Sequence, residues 1–129
     1  MQPREVNVSE FNAHDVAERA RLISHNRYVE IIDHDPSLLH KAKGMLERGV
    51  AENGGTMGQR LWLIIMLHGD WRDIRERIIR DDEDGRLLRS NSPFSELIGI
   101  HDQDERTEIW RRAKAELSAQ TTSIEQFAA

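Results

Sequence analysis

The chain has 129 residues, 38% of them hydrophobic and 32% charged, with a formal net charge of −5 and no cysteine. That length supports about one domain with a modest core, and the balance suits a soluble domain with heavily charged helix faces rather than disorder throughout. Without cysteine, disulfides, thiolate metal ligands and cysteine nucleophiles are excluded, and the acidic balance excludes a general attraction to phosphate backbones.

Residues 1–11, "MQPREVNVSEF", carry no apolar stretch of the kind a secretory signal needs and are expected to form a flexible N-terminal arm. Asn12 is placed to cap a first helix in which Val16, Ala20 and Ile23 recur at helical spacing. "YVEII" at 28–32 is compatible with strand or helix; helix is preferred because Tyr28, Ile31 and Ile32 then share a face. Asp35-Pro36 pairs a capping acceptor with a proline at the first helical position, so a helix is expected to follow with Leu38, Leu39, Ala42, Met45 and Leu46 on one side. "ENGGTMG" ends it as a loose loop.

The run "LWLIIML" at 61–67 is apolar on every side, which predicts a central helix at about 59–68 surrounded by the others. Seven apolar residues are far short of the roughly 20 that span a bilayer, so no membrane segment is expected. Asp70 is placed to cap the next helix, in which Trp71, Ile74 and Ile78 keep period while arginines and acids alternate outside. Those arginines, Arg72, Arg75, Arg77, Arg80, Arg86 and Arg89, read as a salt-bridged solvated face. Gly85 is expected to break the chain or turn it, Ser92-Pro93 to start a short helix that packs Phe94, Leu97 and Ile98 inward, and Asp102 with Glu105 to open the last helix. That helix bears Ile109, Trp110, Ala113 and Leu117, and the tail beyond residue 118 is expected to fray. The sum is an all-α fold, an irregular bundle of five to seven short helices forming a single domain over 12–118.

Candidate chemistry is sparse. His-Asp occurs at His14-Asp15, His34-Asp35 and His101-Asp102, and a metal-dependent phosphohydrolase could use His14 or His25, the His34-Asp35 pair and Asp70. Each of the three acidic partners, however, falls where a helix starts, and capping accounts for all of them without a metal. "RDDEDGR" fails as a calcium loop because Arg80 and Asn91 would occupy its first and last ligand positions. No nucleophile elbow, phosphate-binding loop or zinc-helix motif is present. A helix-turn-helix needs a short turn and a long second helix, and the segment from Asp70 past Arg86 offers neither. Trp62, Trp71 and Trp110 all lie on apolar faces and are expected to anchor the core, an exposed tryptophan being the sign of a partner surface instead.

From Asp35 onward the order of features resembles the helical, toxin-binding part of antitoxins from bacterial type II toxin-antitoxin systems. "DPSLLHKA" at 35–42, Trp62, "LRSNSPF" at 88–94 and "DER" at 104–106 carry the resemblance, over about 75 residues. It implies a cytoplasmic bacterial protein-interaction module, not an enzyme, that binds and neutralises or regulates a protein partner. No helix-turn-helix precedes the matching region, so DNA binding does not follow. An acidic protein would suit a basic, RNA-directed toxin. Arg86, Arg89, Pro93 and Phe94 are the contact candidates, with Phe94 assigned to the core in preference to the interface. No cofactor or metal is expected, nucleic acid is not the expected partner, and a homodimer is left open. The alternatives are the HD-type hydrolase and a small DNA-binding regulator.

Overall fold

A computed structural model describes residues 12–128, with side chains through Thr121; the expected arm, residues 1–11, lies outside the described residues. Seven helices and no strand occur among them: α1 (Ala13–His34), α2 (Ser37–Asn53), α3 (Met57–His68), α4 (Trp71–Ile78), α5 (Glu83–Ser90), α6 (Phe94–Leu97) and α7 (Gln103–Ala128). The fold is all-α, as the spacing of apolar residues predicts, and "YVEII" belongs to α1. No described helix is long and apolar enough to cross a membrane.

Where one domain over 12–118 is expected from the sequence, the chain divides into two compact units, residues 12–23 with 101–128 and Ser24–Ile100. In the first unit Val16, Leu22, Ile23, Ile109 and Ala113 are buried. Arg19 there holds Glu116 with its Nη2 at 2.7 Å and its Nε at 2.8 Å. The segment of α7 past Ser118, expected to fray, continues the helix to Ala128; Ala119, Gln120, Glu125, Gln126 and Ala128 within it are strong helix formers.

The second unit holds the larger core. Tyr28, Val29 and Ile32 of α1 meet Ala42 and Leu46 of α2, Trp62 of α3, Ile74 and Ile78 of α4, Leu88 of α5 and Phe94 of α6. Phe94 receives two tryptophans edge-on, Trp62 at a centroid distance of 5.5 Å and Trp71 at 6.2 Å, the arrangement aromatic quadrupoles favour. Trp62 is fully buried, and its indole N–H donates to the Leu88 carbonyl at 3.0 Å.

Local chemistry sets the helix ends. Asn12 accepts from the Asp15 amide at 2.8 Å, Asp70 from Asp73 at 3.0 Å, Ser92 from Phe94 at 3.1 Å and Asp102 from Glu105 at 2.9 Å, all at the positions read as caps. Two caps were not read from the sequence: Thr56 and Gln59 form a reciprocal capping box for α3, and Asp82 accepts from Gly85 at 2.8 Å to open α5. One expected cap differs. Asp35 leaves the α2 amides alone and takes the Ser37 hydroxyl instead, while Pro36 adopts helical angles as expected. At the other end of α2, Gly54 stands at φ 80°, a left-handed value that suits a residue without Cβ, and its amide closes on the Val50 carbonyl.

Gly85 is neither a break nor a turn. It lies in the first turn of α5, where a Cβ would stand 2.1 Å from the Arg80 carbonyl oxygen and 2.8 Å from Arg89 Nη1. Only the smallest residue lets α5 begin so close to the end of α4.

Candidate functional site

The four residues expected to contact a partner are placed very differently. Arg89 is 2% exposed, and its Nη1 donates to the carbonyls of Ile78 at 2.9 Å and Arg80 at 2.6 Å. It therefore satisfies the free carbonyls where α4 ends, a structural task. Pro93 and Phe94 are also buried. Arg86 alone of the four is exposed, with Asp81 at 3.9 Å. A side chain enclosed by its own chain presents no surface to another, so "LRSNSPF" joins two helices and closes the core; Arg89, Pro93 and Phe94 are used up in doing so. The basic residue was read as part of a solvated face because its guanidinium targets are main-chain carbonyls, which have no signature in a sequence.

Arg75, Arg77 and Arg80 behave as the alternation of charges predicts, whereas Arg72 forms no side-chain ion pair with any described residue. Arg75 pairs with Asp33 at 3.0 Å, Arg77 with Asp84 at 3.4 Å and Arg80 with Asp82 at 2.7 Å, all partly exposed. Asp33 also accepts the Trp71 indole N–H at 2.8 Å, and this bond, followed by the Arg75 guanidinium, holds its carboxyl below the usual value of 3.8. Asp82 is lowered likewise, chiefly by the Gly85 amide and then by Arg80.

The histidines and acids proposed for metal chemistry stay apart. His34 Nδ1–H donates to the Glu30 carbonyl at 2.8 Å, His14 is exposed, and His25 is buried edge-on to Tyr28 with centroids 5.0 Å apart. Asp70 is the α4 cap. Among the described residues no three histidine, aspartate or glutamate side chains are grouped so that they could hold a metal.

A surface feature not singled out from the sequence lies on α3. Met57 is 78% exposed, Ile64 57% and Leu67 54%. Offsets of seven and ten residues put all three on one side of a helix of period 3.6, roughly 15 Å from end to end. The expectation that α3 is enclosed on all sides thus gives way: Trp62 faces the core, and the far side is open to solvent. Beside this face an open cleft of about 310 Å³ runs between α3 and α4, lined by Ile64, Ile65, His68, Asp73, Ile74 and Arg77. A second, of about 160 Å³, is lined by Leu39, His40, Lys43, Met66, Trp71 and Ile74. Apolar floors rimmed by a few charges suit a protein side chain better than they suit catalysis, which needs convergent groups of perturbed pKa. The signal for this surface was in view: seven consecutive apolar residues on a helix of 12 residues exceed what one core-facing stripe absorbs.

The fold and this surface define an all-helical protein with an exposed apolar face on α3. Compared with family models, with curated proteins and with solved structures, the chain matches none.

Proposed function

We propose that the chain is a non-enzymatic protein-interaction module of antitoxin-like type, which binds and neutralises or regulates a protein partner through the exposed face of α3. The observation that carries the reading is the run of Met57, Ile64 and Leu67 in solvent beside the α3–α4 cleft. Large apolar side chains grouped on one exposed helix face lose hydration when a partner covers them, and methionine is over-represented at such contacts. Of the residues that could have served chemistry, His34, Asp70 and Ser92 are instead engaged with backbone groups near helix ends. This account moves the contact region from the "LRSNSPF" segment to the helix that packs against it through Trp62.

Paired affinity purification from the native host tests it. The wild-type chain and I64D/L67D are each recovered with whatever accompanies them. A single stoichiometric protein with the first and none with the second, at equal melting temperature, is the expected result. Equal recovery with both, or stoichiometric metal in the purified protein lost on His34→Ala, would overturn it.

A further inference from the structure

The structure assigns a second binding surface, on α7: a stripe of Arg106, Trp110 and Lys114 that takes an acidic segment of a protein partner. It is independent of the α3 face and rests on different observations.

Trp110 was expected in the core, yet it is 39% exposed, while its neighbours Ile109 and Ala113 are buried. At 100° per residue, Arg106 and Lys114 lie about 40° to either side of it, one turn before and one turn after. The carboxylates within two turns of Trp110 on this helix, Asp104, Glu105, Glu108 and Glu116, all fall at least about 120° away from it. Glu108 holds Arg111, and Glu116 holds Arg19 and Arg112. The side chains of Arg106 and Lys114 form no ion pair or hydrogen bond with any described residue, unlike those of Arg75, Arg77 and Arg80. In a chain of net charge −5, the sorting leaves one strip about 80° wide that is cationic with an aromatic at its centre.

That arrangement has a definite complement. The two cations stand about 12 Å apart along the axis, the spacing of carboxylates two turns apart on a helix or about four residues apart on an extended chain. Between them an apolar side chain meets the indole. Tryptophan and arginine are the residues most often found at the energetic centre of protein contacts. A nucleic acid is the poorer fit. Its phosphates recur far more densely than two cations can answer, and the overall negative charge repels a polyanion more than a short peptide.

Selection of a random dodecapeptide display library on the full chain tests the assignment, followed by fluorescence polarisation with the best labelled peptides. Enriched peptides should be acidic with an internal apolar residue. Their affinity should fall about tenfold or more in R106E/K114E and in W110A, survive in R106K/K114R, and weaken with added salt. The reversal variant alters two side chains outside the core, so its circular dichroism should match the wild type. No enrichment, enriched peptides indifferent to R106E/K114E, or tighter binding of a labelled oligouridylate than of any peptide would each overturn the assignment.

Discussion

Gly85 and Arg89 act together at the junction of α4 and α5. The guanidinium draws the Ile78 and Arg80 carbonyls into one buried arrangement, and the missing Cβ of Gly85 leaves the space for it. Gly85→Ala should therefore destabilise the fold by about 2–3 kcal/mol, through overpacking against main-chain atoms that have nowhere to move; urea denaturation followed by circular dichroism measures it. At Asp33 the effect is electrostatic. Trp71 and Arg75 both favour its ionised form, so its carboxyl titrates lower in the folded chain than in the unfolded one. The stability it contributes is complete above the unfolded value of about 3.9 and is lost as pH falls through the lower folded value. Asp33→Asn should lower the melting temperature at pH 7, with the difference from wild type shrinking as the pH is taken below about 4. A difference that grows on acidification would contradict the assignment. The caps at Asn12, Asp70, Ser92 and Asp102 were legible because a short polar side chain before an apolar-periodic run has few other uses. Arg89 was not, since its partners are carbonyls that any residue supplies.

At the scale of the helix, α3 shows what hydrophobic pattern does and does not specify. A run apolar on every side predicts that the helix touches the core; it does not say how many neighbours cover it. Here α2 packs along α3 within the second unit, Trp62 fills the interior, and Ile64 and Leu67 remain in water. Substitutions should separate the two faces. Trp62→Ala should cost about 3–5 kcal/mol as a buried aromatic is lost, whereas I64D/L67D should change stability by under about 1 kcal/mol, because neither side chain is enclosed. Thermal melts of both variants decide this. Similar large losses would show that the outer face of α3 is part of the fold after all. The helix count and the all-α class followed from the sequence because periodicity and caps agree with each other. The course of the chain across two compact units did not, as no composition change marks Ile23 or Ile100.

For the molecule as a whole, the distribution of charge matters more than its total. The formal charge of −5 is spread over faces where most arginines described are paired with nearby acids. Two surfaces stand out from that neutralised background, the apolar face of α3 and the cationic-aromatic stripe of α7. Neither coincides with the segment that carried the sequence-level case for partner contact, whose Arg89, Pro93 and Phe94 are enclosed. The account therefore turns on which face a partner covers, and site-specific photo-cross-linking in the native host measures that directly. A benzoylphenylalanine placed singly at position 57, 64 or 86 reports contact within a few ångströms of each. One discrete protein adduct from positions 57 and 64, absent from 86, is the predicted outcome. An adduct from position 86 alone, or none from α3, would contradict the account.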